Sequence, residues 1–235
     1  MDLAAPMSAE FLSALAAIVV IDLVLAGDNA IVIALAAREL PPRLQKRAIV
    51  WGAVGAVVVR SALTVAVLWL LRIPGLMLAG GALLAWIAYR LLAGGEANGR
   101  QVDPARGFWS AMSTIVVADA VMGLDNVLAV AGAAHGSMLL VVIGLAISIP
   151  IVVGGSALIL RWLERFPALL YVGAAVLAWT SAKMMTGEPR IAELLEGRPL
   201  ATVLAYVATL AGVLALGWLR QRRAGASRRL KENAR

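Results

Sequence analysis

Residues 11–37 read "FLSALAAIVVIDLVLAGDNAIVIALAA". A helix that crosses a bilayer core of about 30 Å needs about 20 predominantly apolar residues. This run is long enough, and it lacks the period-two alternation of a half-buried strand. It reads as a spanning helix that carries Asp22, Asp28 and Asn29 within its apolar length. An aspartate at the centre of a spanning helix costs about 2.5–3.5 kcal/mol on insertion scales. Each of these acids therefore calls for a compensating use.

The rest of the chain has the same character. Of its 235 residues 62% are hydrophobic and 15% charged, and the mean hydropathy is +0.89. Apolar blocks near 11–36, 47–71, 75–93, 108–133, 138–160, 168–186 and 200–219 predict seven transmembrane helices in an all-α polytopic membrane protein. The formal charge of +7 does not point to nucleic acid, because its distribution follows the membrane. With the N-terminus outside, the segments 38–47, 90–106, 161–165 and the tail "RQRRAGASRRLKENAR" hold sixteen Lys and Arg residues. The opposite side holds Arg72, Lys183, Arg190 and Arg198, and Arg60 lies inside a predicted helix. Basic loops stay cytoplasmic, which predicts an outside N-terminus and a cytoplasmic C-terminus, with the tail beside anionic lipid. No cleavable signal pattern is evident. The chain has no cysteine, which excludes disulfides and thiolate metal sites.

The opening run occurs twice. Residues 108–134, "FWSAMSTIVVADAVMGLDNVLAVAGAA", align with 11–37 without a gap, with 13 of 27 positions identical. Asp22 falls on Asp119, Asp28 on Asp125 and Asn29 on Asn126. A second pair supports the repeat: "RIPGLMLAGGALLAW" at 72–86 matches "RFPALLYVGAAVLAW" at 165–179. The chain thus divides into a three-helix repeat at 10–93, a second at 107–186, a seventh helix at 200–219 and a basic tail at 220–235, all in one transmembrane domain. An odd number of helices per repeat inverts the second copy. Many secondary transporters are built this way, with a site near the midplane and at broken helices.

On one unbroken helix Asp22 and Asn29 lie within about 20° of each other, whereas Asp28 lies about 120° away. Gly27 and Gly123 mark places where each helix is expected to break, freeing carbonyls as further ligands. Together the two copies bring Asp22, Asp28, Asp119 and Asp125 with Asn29 and Asn126, a set of hard oxygen donors. Such donors suit magnesium, calcium or manganese rather than zinc or copper. Four carboxylates against one divalent ion leave an excess of two negative charges, so proton exchange for metal is the expected coupling. Arg60 is a candidate fixed counter-charge. Met122, three residues before Asp125 and equivalent to Leu25, offers a soft thioether that would favour manganese, although packing explains it as well.

Plainer readings exist. Interhelical hydrogen bonds need no carboxylate, since Ser, Thr or Asn supply them at lower cost, whereas four aspartates cost on the order of 10 kcal/mol. Ser13 and Ser110 suit packing, the Trp residues suit interfacial anchoring, and His135 lies in a loop. Paired intramembrane aspartates also occur in proteases, but neither Tyr-Asp nor Gly-x-Gly-Asp is present here. No enzyme activity and no resident cofactor are expected.

The paired "DLVLAGDN" and "DAVMGLDN" resemble the TerC family of bacterial integral membrane proteins, named for tellurium resistance, and the seven-helix size resembles its YjbE-type branch. The resemblance extends to about residue 219. It implies kinship with the LysE transporter superfamily, residence in the bacterial cytoplasmic membrane and export of manganese(II). It also implies that Asp28–Asn29 and Asp125–Asn126 carry the metal, supported by Asp22 and Asp119. Gly27 is matched by Leu124, so the half-sites are unequal. An anionic pocket disfavours tellurite as direct substrate. Export of a small organic cation and a non-transport membrane partner role are the alternatives.

Overall fold

The computed structural model describes residues 9–25, 27–70, 73–93, 104–134 and 137–232. They form α1 (Ala9–Leu25), α2 (Gly27–Ala37), α3 (Pro42–Leu70), α4 (Leu76–Ala93), α5 (Pro104–Ala133), α6 (Met138–Arg165), α7 (Leu169–Gly187), α8 (Pro189–Leu195) and α9 (Pro199–Glu232). No strand occurs among these residues. Six helices are long and apolar enough to cross a membrane, and the pair α1–α2 supplies a seventh span when counted as one. The all-α, polytopic reading holds.

The expected helix breaks are realised in one copy of the motif. The axes of Ala9–Leu23 and Gly27–Ala37 meet at 52°, and Ala26 lies outside the described residues. In the second copy α5 runs helically through 121–127 without interruption, so the break expected there does not form. Two residues explain the difference. Leu124, a good helix former, stands where the first copy has Gly27. Gly123 stands one residue further from its Asp-Asn pair than Gly27 does and is accommodated within the helix.

Two elements escape a hydropathy scan. The short α8 begins with Pro189 at its first turn and is followed by Gly197 at φ 69°. Proline at the start and a left-handed glycine past the end delimit a helix too short to span. In addition, α9 continues through the basic tail to Glu232. Leu, Arg, Gln, Ala and Lys are all good helix formers, so the change to charged residues ends the apolar span without ending the helix.

Packing separates the chain into two units that cut across the sequence repeats: Met1–Ile73 with Phe108–Trp162, and Pro74–Gly107 with Leu163–Arg235. The first unit gathers α1–α3 with most of α5 and α6. Its core includes Phe11, Ala14 and Ile18 of α1, Val130 of α5, and Leu140, Val141 and Leu145 of α6. The helices approach closely at glycines. A Cβ on Gly52 of α3 would lie 2.8 Å from Ile115, and one on Gly144 of α6 would lie 2.5 Å from Ile18. Ile18 and Ile115 are equivalent positions of the two repeats. Each leading helix therefore presses the same isoleucine onto a glycine in the second helix of the other repeat. Lipid gives no hydrophobic drive to helix association, so such small-residue contacts carry the packing. Outward positions such as Leu12, Val20, Trp51, Val58 and Ile151 are exposed and apolar, as a lipid-facing surface requires.

The second unit joins α4, α7, α8 and α9. Ser181 donates a hydrogen bond to the carbonyl of Gly81 at 2.6 Å, a distance open to α4 and α7 because Gly81 has no side chain. A Cβ on Gly217 of α9 would lie 2.5 Å from Leu92. The carboxylate of buried Glu188 accepts the N–H of Gly75 at 2.7 Å, fixing the Pro-Gly turn (Gly75 φ 82°) that opens α4.

Candidate functional site

The polar residues of the first unit sit on the buried faces of its helices. On α1, Phe11, Ala14, Ile18 and Asp22 form one buried stripe. On α3, Ile49, Ala53, Ala56 and Arg60 do the same. On α5, Asp119, Met122, Gly123 and Asn126 follow the i, i+3, i+4, i+7 pattern of a single helix face, the first three buried and Asn126 half-buried. Sequence periodicity thus directs charged groups to positions that would otherwise be apolar core.

Arg60 links them. Its Nη1 donates to Asp22 Oδ1 and its Nη2 to Asp119 Oδ1. These aspartates occupy equivalent positions in the two repeats, and both ion pairs are buried. One planar guanidinium thereby joins α1, α3 and α5. The fork suits this geometry because its donors diverge at fixed angles. Gly123, one turn beyond Asp119, lies beside it: an added Cβ would stand 3.5 Å from Arg60 Nε, in ordinary van der Waals contact.

Asp28 lies half-buried in the first turn of α2. There the free N–H groups and the helix dipole favour a negative charge, and the N–H of Asn29 donates to its Oδ1 at 2.9 Å. Asn29 is 3% exposed. Its Oδ1, Asp119 Oδ2 and Ser61 Oγ are buried oxygens with no hydrogen-bond partner among the described residues. Leaving such an oxygen unpaired costs about 1–3 kcal/mol.

Of the residues singled out from sequence, the structure brings Asp22, Asp119 and Arg60 into direct contact. It places Asp28 in the same unit and buries Asn29 and Met122 there. The side chain of Asp125 and the whole of His135 lie outside the described residues. Among the described residues no three of Asp, Glu and His form a ready metal cluster; the nearest acids are engaged by Arg60. Ser61 escapes sequence reasoning, since a lone serine on a spanning helix carries no signal beyond its place beside Arg60.

A bundle with six or seven apolar spans and an arginine–carboxylate cluster sealed inside defines a polytopic, transporter-like integral membrane protein. Residues 7–224 match the model of the "Integral membrane protein TerC family", and the chain belongs to that family. It is similar to the membrane protein YjbE of Bacillus subtilis (strain 168), with 41% identity over 208 residues, 88% of this chain and 95% of the relative. UPF0053 protein YegH of Escherichia coli (strain K12) is 27% identical over 65% of this chain and 32% of its own length. The membrane protein YkoY of B. subtilis is 23% identical over 68% of this chain and 56% of its own length. No solved structure matches the chain.

Proposed function

We propose that this protein exports manganese(II) across the bacterial cytoplasmic membrane, with the ion bound among the oxygens of the two Asp-Asn motifs and exchanged for protons. The observation that carries the reading is the burial of repeat-equivalent acids inside an apolar bundle, with Asn29 Oδ1 and Asp119 Oδ2 left without hydrogen-bond partners among the described residues. Buried polar groups in a spanning bundle mark ion pathways by default. Hard oxygen donors favour a hard divalent cation. Met122, buried on the same face of α5 as Asp119 and Asn126, offers the softer atom that would bias the choice towards manganese. Asp28–Asn29 with Asp125–Asn126 hold the ion, and Asp22 and Asp119 beside Arg60 support or complete the site.

The test is manganese(II) flux into proteoliposomes, with and without a pH gradient, for the wild type and Asp28→Asn. Saturable flux that the variant loses supports metal transport, and acceleration by the gradient supports proton exchange. Flux of a small amine in place of manganese would favour the organic-cation reading. Folded protein with no flux of either would overturn transport.

A further inference from the structure

The Asp22–Arg60–Asp119 bridge admits two roles: a static clamp between helices, or a charge that takes part in the transport cycle. Three features separate them. First, the arginine is unmatched. The "SAL" that follows Arg60 at 61–63 recurs at 156–158, and Gly155 stands where a second arginine would be. Both repeats supply a carboxylate, but one supplies the cation. Second, the carboxylate of Asp119 is half used, with Oδ1 bonded to Arg60 and Oδ2 buried without a partner among the described residues. A clamp optimised for stability would pair both oxygens, because an unpaired buried acceptor works against it. Third, the arginine lies beside Gly123, where an added Cβ would stand 3.5 Å from its Nε, on the α5 face that continues one turn further to Asn126 of the metal motif.

The geometry points to Arg60 as a tethered cation that shares the carboxylates of Asp22 and Asp119 with the transported ion and compensates their charge when the ion has left. This rests on the transport reading above. A carrier that releases a divalent cation must reorient with its acids still in a medium of low dielectric constant, where uncompensated charge is strongly penalised. Arg60 moves with the site and supplies positive charge for that return. Loaded and unloaded forms then differ less in net charge than four bare aspartates would allow.

The experiment compares two fluxes of manganese(II) in proteoliposomes containing the full chain. One is net flux from a loaded to an empty compartment, which requires the unloaded return. The other is isotope exchange at equal manganese on both sides, which does not. A tethered cation predicts that Arg60→Gln depresses net flux and preserves exchange, raising the exchange-to-net ratio by about tenfold for each 1.4 kcal/mol added to the return step. Arg60→Lys keeps the charge but lacks the fork that faces two carboxylates at once, so it raises the ratio by a smaller factor. It also carries the test if the glutamine variant does not fold. A static clamp predicts that both fluxes fall together, with the ratio unchanged in either variant, and that result overturns the proposal. Wild-type protein that moves no manganese in either assay overturns the transport reading itself, so the two failures are distinguishable.

Discussion

At the residue scale, Asp22, Arg60 and Asp119 cannot be altered singly without consequence. Removing one partner of a buried ion pair leaves an uncompensated charge, at a cost of about 3–5 kcal/mol. Arg60→Ala, which leaves the buried carboxylates of Asp22 and Asp119 without their cation, should therefore lower the thermal stability of the purified protein markedly, and Asp22→Ala, which leaves Arg60 paired with Asp119, should lower it less. The neutral set Asp22→Asn, Arg60→Met and Asp119→Asn should recover most of that stability, because the cost lies in the orphaned charge rather than in the lost bridge. Thermal unfolding in detergent checks both outcomes, and a neutral set no more stable than Arg60→Ala would contradict them. The importance of these residues was legible in the sequence, since repeated acids in apolar helices require a reason. Their pairing was not. Arg60 is 38 residues from Asp22 and 59 from Asp119, and no local pattern states which helices bring such distant groups together.

At the element scale, the two copies of one motif adopt different backbones. The first is broken between α1 and α2, while the second continues as α5. Both contain a glycine before the Asp-Asn pair, so glycine alone did not decide the outcome; its position by one residue and the neighbouring Leu124 did. Helix existence and approximate extent followed from hydropathy, because apolar length is a direct physical demand of the bilayer. Helix contacts did not, because they depend on which glycines face which side chains. Gly144→Ala should destabilise the first unit by about 1–3 kcal/mol, the usual cost of overpacking, since the new methyl would lie 2.5 Å from Ile18. Gly132→Ala, with nothing within 4 Å of its added Cβ, should be neutral or stabilising by up to about 1 kcal/mol. Unfolding midpoints for the pair decide the matter, and equal effects would contradict the assigned packing.

At the scale of the whole molecule, apolar residues face outward and small or paired polar residues face inward, as expected for a protein whose solvent is lipid. The Ile18–Gly144 and Ile115–Gly52 contacts pack the leading helix of each repeat against the second helix of the other. An inverted relation of those repeats, with the N-terminus outside, is the arrangement we propose from the loop charges. The absence of cysteine makes this testable without background: a cysteine replacing Arg235 should resist a membrane-impermeant maleimide in intact cells and react after permeabilisation. Labelling of intact cells would reverse the orientation. The central claim, that the two Asp-Asn motifs bind a hard divalent cation inside the bundle, is tested most directly by equilibrium binding of manganese(II) to the purified protein, read from loss of the free ion's EPR signal. Saturable binding that is abolished by Asp28→Asn and by Asp125→Asn, each with folding intact, is the expected result; no binding to the wild type, or binding indifferent to both substitutions, would contradict it.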